Sequence, residues 1–362
     1  MFASVWEEPA GNTQQAPPST IELSQRRVGI AGCGVITPAI SSSKDLLPLL
    51  PGHEDKRSKV HERTLPLEHL HSASQLGPRV TKKLDRFSLL GVAAARAALN
   101  DAGLEPDEVA RCGVVTGNMM AGWTFTEPQL RSLYTGGVDS ISPYLATAWF
   151  PAAPQGQITI NLKMRGFAKT VTTDRCSGAQ AIGLAYKAIS GGREDLLLAG
   201  GVEAPVTPLV ESGLAQLGQS TINVVEGAAY LLLSAEADAG TAIGFHSTFS
   251  FFHDSPLTTA IERVKTLVHS LPKRWPVKTV ICNVPACTVT EMEAGRLFKQ
   301  VFHDEQFRLI YSTRIAGECL AASGAIAVVM AHEILKNETS PSSAIVFSAG
   351  HQCGDLLWVY RS

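Results

Sequence analysis

From Arg27 to Arg361 the chain alternates short apolar runs with longer amphipathic or alanine-rich segments, and no other feature constrains its fold as strongly. The runs RVGIAGCGVIT from Arg27, CGVVTGN from Cys112, the stretch Ala168 to Thr173, DLLLAGGVEA from Asp195 and GAAYLLLSAE from Gly227 read as buried strands. Between them, LDRFSLLGVAAARAALNDAGL from Leu84 is an amphipathic helix expected to stop near Gly103, and GAQAIGLAYKAISGG from Gly178 is a helix closed by glycines. After Ala239 the order repeats in outline, with strands at TAIGFHSTFS, TVICNV, RLIYST, SAIVFSAG and DLLWVYR and helices between them. Apolar strands alternating with helices predict an α/β fold, with a mostly parallel sheet covered on both faces. The repetition predicts duplicated α/β halves, residues 26–238 and 239–362, preceded by a flexible arm over 1–25 that is rich in Pro, Ser, Gln and Glu.

Composition narrows the function classes. A net charge of -2 over 362 residues excludes the basic excess of a nucleic-acid binder. No apolar run approaches the roughly 20 residues that cross a bilayer, and the first residues lack a basic segment followed by an apolar one. A cytoplasmic protein with no membrane partner is the expectation. His53, His61, His69 and His71 fall in a polar stretch from Pro51 to Leu76 without helical register, which reads as a solvated loop rather than a metal site. Seven cysteines without a C-x-x-C pair predict neither a disulfide framework nor zinc. Cys33, Cys112, Cys282, Cys287, Cys319 and Cys353 read as small packing residues. No cofactor is expected.

Three segments resemble the β-ketoacyl synthases. RVGIAGCGVITP from Arg27 is similar to the family's opening strand, R-V-V-I-T-G-x-G-x-V-T-P. LLLAGGVEA from Leu196 resembles the strand before its second layer of helices. TTDRCSGAQAIG from Thr172 aligns without gaps on the nucleophile elbow T-A-C-x-S-G-x-x-x-I-G. The resemblance implies a thiolase-like fold with mixed central sheets in a five-layer arrangement. On the elbow it places Arg175 where the family carries its cysteine, with Cys176 one position later. ICNVPACT from Ile281 takes the place of A-H-G-T-x-T, so that Asn283 (or Cys282) holds a histidine position. AGECLAASG from Ala316 puts Glu318 at the other histidine. Three degenerate catalytic positions, together with Asp174 and the AWF and GQI groups of ISPYLATAWFPAAPQGQITI, resemble the chain-length factors of type II polyketide synthases.

That subgroup implies a non-catalytic subunit. It would pair with a ketosynthase α subunit and an acyl carrier protein to extend a malonyl-derived chain. By the same resemblance Trp123, Thr126 and Leu130 gate a substrate tunnel, and their i, i+3, i+7 spacing shares one helical face. The competing reading of that face is ordinary interface packing. A buried guanidinium is costly unless paired, so Arg175 is expected to meet Glu318 or Asp174, the alternative being a solvated side chain in an open cleft. Two further readings stand beside this one. One is a divergent, active condensing enzyme using Cys176 with a base such as His351. The other is a partner subunit of an alkyl-quinolone or polyene ketosynthase complex.

Overall fold

The computed structural model describes residues 26–50, 62–216, 223–236, 240–250, 256–285, 288–303, 306–350 and 353–362. The arm over 1–25, His53, His61, Cys287 and His351 lie outside them.

Ten strands among the described residues follow the apolar runs of the sequence: β1 (Val28–Ile36), β2 (Gly113–Gly117), β3 (Ala168–Val171), β4 (Leu196–Glu203), β5 (Gly227–Ser234), β6 (Thr241–Ser250), β7 (Val277–Asn283), β8 (Arg308–Tyr311), β9 (Ser342–Ala349) and β10 (Cys353–Arg361). Their order across the sheet is β3-β2-β4-β5-β1-β6-β10-β9-β7-β8. The first five strands run 3-2-4-5-1 from one edge, and the last five repeat the same order from the other edge. Directions repeat as well. β2 is parallel to β3 and β4, and β5 is antiparallel to β4 and β1. In the second half β7 is parallel to β8 and β9, and β10 is antiparallel to β9 and β6. The duplication is therefore real, and β1 meets β6 through Val28↔Ile243 and Gly29↔Ala242.

The sheet is mixed, not mostly parallel as the apolar pattern suggested. Helices cover both faces, so parallel and antiparallel strands alike are apolar on both sides and the pattern cannot separate them. The close succession of β9 and β10 enforces one antiparallel pair, because only a crossover can join neighbouring strands in parallel.

The helices that build the layers are α1 (Arg86–Ala102), α2 (Trp123–Gly136), α3 (Ala153–Leu162), α4 (Ser177–Ser190), α5 (Pro208–Gln216), α6 (Pro256–His269), α7 (Thr288–Phe302) and α8 (Ala321–Lys336). α1 begins at Asp85, whose carboxylate accepts the Phe87 N–H at 2.9 Å. It ends at Gly103, which takes φ 67°, a conformation that favours glycine. α1 packs on β1, β5 and α3 outside the first half, while α6 and α7 close the outer face of the second. Between the two halves lie α4 and α8, each touching strands of both. Their approach is close: a Cβ on Gly178 would lie 2.3 Å from the carbonyl oxygen of Ala321. The largest core runs across this middle layer, from Val28, Ile182 and Leu231 to Ile326, Val346 and Leu357. The polar stretch before Leu76 is not all loop, since Leu67–Ser74 is helical and buries Leu70.

Candidate functional site

Each half feeds a strand into a turn and then into a middle-layer helix, β3 into α4 and β8, by way of the short helix Ser312–Ala316, into α8. Because the halves are duplicated, the first turns of α4 and α8 meet, as the Gly178–Ala321 contact records. Arg175 comes from the first turn and Glu318 from the second. Arg175 Nη1 lies 2.7 Å from Glu318 Oε2, with both side chains almost completely buried. Glu318 is held further by Leu320, whose N–H donates to Oε1 at 2.9 Å. Leu320 has φ 45° and ψ −121°, a strained backbone for a residue with a Cβ. The Arg175–Glu318 pair expected from the sequence is thus present. Asp174 turns elsewhere, accepting from the Cys176 N–H at 2.8 Å and from the Cys353 thiol at 3.0 Å. Asn283 is fully buried at the end of β7, and its amide donates to Ser348 Oγ at 3.2 Å.

The expectation of a chain without a nucleophile requires correction. The sulfur of Cys33, a ring nitrogen of His332 and a carboxylate oxygen of Glu333 all lie within 4.8 Å of one another. This thiol, imidazole and carboxylate set argues against a purely non-catalytic chain-length factor. Cys33 sits on the face of β1 turned away from α1, since Gly32 and Gly34 are the residues that meet that helix. His332 and Glu333 come from the last turns of α8. Cys33 Sγ is 3.6 Å from Glu333 Oε1, and its backbone N–H donates to Asp101 Oδ2 at 3.0 Å. Burial pushes the Cys33 thiol up to about 12, and the Glu333 and Asp101 charges act in the same direction. Burial lowers the His332 imidazole from its ordinary value, while the charge of Glu333 works against that shift. The resting pair is therefore a protonated thiol beside a neutral base that shares a 2.5 Å hydrogen bond between its Nδ1 and Thr241 Oγ1. Sequence reading took Cys33 for a packing residue. Its partners lie some three hundred positions away, and only the crossing of α8 over β1 unites them.

Cys176, at the N-terminus of α4, is fully buried. Its thiol is pushed well above the ordinary value, first by the Cys353 thiol, then by burial and by the Asp174 charge. At the start of α2, Trp123 is half-buried against Val210, Leu214 and Leu320. Thr126 is buried and turns its hydroxyl back to the Gly122 carbonyl at 2.6 Å, and Leu130 is half-buried. No helix among the described residues is long and apolar enough to cross a membrane.

Residues 66–243 match the family model for the beta-ketoacyl synthase N-terminal domain. The actinorhodin polyketide beta-ketoacyl synthase 2 of Streptomyces coelicolor is 27% identical over 325 residues, covering 80% of this chain and 79% of the relative. The 3-oxoacyl-[acyl-carrier-protein] synthase 2 of Coxiella burnetii is 23% identical over 93% of this chain and 92% of the relative. Among solved structures, a type II polyketide synthase acyl-carrier protein in complex with its ketosynthase bound to the hexaketide superposes with a TM-score of 0.77. It is 24% identical and covers 93% of this chain and 99% of the matched one. With its mixed sheet, its duplicated halves and the helix pair between them, the chain has the same α/β fold as that solved structure.

Proposed function

We propose that this chain is a divergent condensing enzyme of the ketosynthase type, retaining thiol chemistry rather than serving only as a scaffold. The observation that carries the reading is the Cys33–His332–Glu333 set. In the first half-reaction the Cys33 sulfur attacks an acyl thioester. Its proton passes to the neutral His332 and then to the departing carrier thiol, so that one thioester bond forms as another breaks. Glu333 stabilises the transient imidazolium. In the second half-reaction a malonyl-derived thioester loses carbon dioxide and its carbanion attacks the acylated cysteine, giving a β-ketoacyl thioester and the Cys33 thiolate, which takes up a proton from solvent by way of His332. Cys33 is buried at 3% exposure, so an acyl donor reaches it only if the elements packed over it move.

The acyl donor is proposed to be carried on an acyl carrier protein. Trp123, Thr126 and Leu130 are proposed to line the path of its chain, while Arg175, Glu318 and Asn283 occupy, as structural residues, the positions that the ketosynthase resemblance assigns to catalysis. A second ketosynthase-like subunit is the proposed partner. Support comes from β3, which ends the sheet among the described residues, and from the exposed Tyr134 on α2, Val138 just beyond it and Ile160 on α3, at 87%, 73% and 70% exposure.

Incubating the purified full chain with acyl-carrier-protein thioesters and mapping the acylated peptide by mass spectrometry tests this reading. The expected result is acylation of Cys33, lost in Cys33→Ala and slowed about a hundred-fold or more in His332→Ala. Acylation on Cys176 would overturn the assignment, and a chain that takes up no acyl group with or without its partner would overturn the enzyme.

A further inference from the structure

A second cluster lies outside this set, where the β3–α4 turn meets the start of β10. One carboxylate oxygen of Asp174 and the sulfurs of Cys176 and Cys353 lie within 4.8 Å of one another. The edge between two sulfurs around a tetrahedral zinc ion, with bonds of about 2.3 Å, is about 3.8 Å, a spacing that three atoms within 4.8 Å of one another approach. From these contacts we infer that Asp174, Cys176 and Cys353 form a three-ligand site for a soft divalent cation of the zinc type, with the fourth position open.

Several independent contacts make the site a built one. The Cys176 N–H donates to Asp174 Oδ1 at 2.8 Å and fixes the carboxylate toward the sulfurs. Gly350 packs against the other side of that carboxylate, where a Cβ would come within 1.8 Å of Oδ2, so this position admits only glycine while Asp174 keeps its place. The Gln180 amide donates to Cys353 Sγ at 3.5 Å, and its oxygen is taken by the Thr173 hydroxyl at 2.9 Å, which turns the NH₂ group to the sulfur. An amide donor oriented on a sulfur is the kind of outer contact that tunes a metal thiolate. Cys176 is sealed in the core, whereas Cys353 is half-exposed, so an ion would enter from the Cys353 side. Two soft sulfurs and one carboxylate suit zinc or cobalt better than magnesium or calcium, which take oxygen ligands. Binding would deprotonate both thiols, releasing two protons to solvent and leaving a singly negative complex that carries an open coordination position.

The test is titration of the reduced, metal-free full chain with Co²⁺ and then Zn²⁺, read by absorption. One equivalent of Co²⁺ should give a sulfur-to-cobalt charge-transfer band with the visible bands of a tetrahedral site, and Zn²⁺ should abolish both. Cys353→Ser should lose the charge-transfer intensity while keeping the far-ultraviolet circular dichroism of the parent. Gln180→Ala should weaken binding about ten-fold. Cys33→Ala should bind as the parent does, because the other thiol cluster is separate. Absence of the charge-transfer band in the parent, its persistence in Cys353→Ser or its loss in Cys33→Ala would each overturn the site.

Discussion

At the scale of single residues, two buried acids show how far local environment departs from composition. Glu203, at the end of β4, is fully buried and accepts the Met119 and Met120 N–H groups. Burial raises its carboxyl from about 4.5 to about 8, which the two backbone donors only partly oppose. Its folded value lies above its unfolded one, so between about pH 4.5 and about pH 8 the unfolded chain gives up this proton first. Stability from this group therefore falls as pH rises through that window. Glu203→Gln keeps an acceptor for both N–H groups, and thermal melts from pH 5 to pH 8 should show a flatter profile and a higher melting temperature at the alkaline end. Glu318 is the opposite case, a buried carboxylate matched by a buried cation. Arg175→Met should cost about 3–5 kcal/mol by leaving that charge uncompensated, and Arg175→Met with Glu318→Met should recover most of it in denaturant unfolding. The sequence made this pair legible, because two odd residues fell on positions that converge in the family fold. The Cys33 set was not legible in the same way. Cys33 sits in an apolar run and His332 and Glu333 in an amphipathic tail, and each has an ordinary local explanation until α8 is laid across β1.

At the scale of elements, the strands and the helices between them that carry caps and glycines were readable closely, whereas Leu67–Ser74, α3 and α5 were not picked out. Gly103 stops α1 where the sequence places the stop, and β10 follows the run DLLWVYR. Strand direction was not readable from the apolar pattern. It depends on how β4 connects to β5 and β9 to β10, and burial on both faces erases the period-two signal that separates a covered antiparallel strand from a parallel one. The α2 segment carries the acyl-path proposal. Its first turn packs Trp123 against α5 and Leu320, the residue whose N–H holds Glu318. Trp123→Ala opens room at that level, and the ratio of kcat/KM for long over short acyl donors should rise about ten-fold or more. An unchanged ratio with an intact fold would remove Trp123 from the path.

At the scale of the whole molecule, α4 and α8 belong to neither half alone. The two halves of the sheet are joined directly by the short β1–β6 contact, while the main core passes through the helix pair and draws on both. Cohesion therefore runs across the boundary that the sequence suggests at 238/239. In folding terms α4 covers β2 and part of β4 early, but the inner face of β5 packs mainly on α8 and stays uncovered until that helix arrives, some eighty residues after that boundary. Unfolding by heat or denaturant is expected as one cooperative transition, with fluorescence and circular dichroism coinciding; two separate transitions would contradict a shared core. During synthesis this arrangement leaves that face waiting for its cover, an interval in which a chaperone that shields apolar surface, or a partner already holding β3, would decide the yield of folded protein.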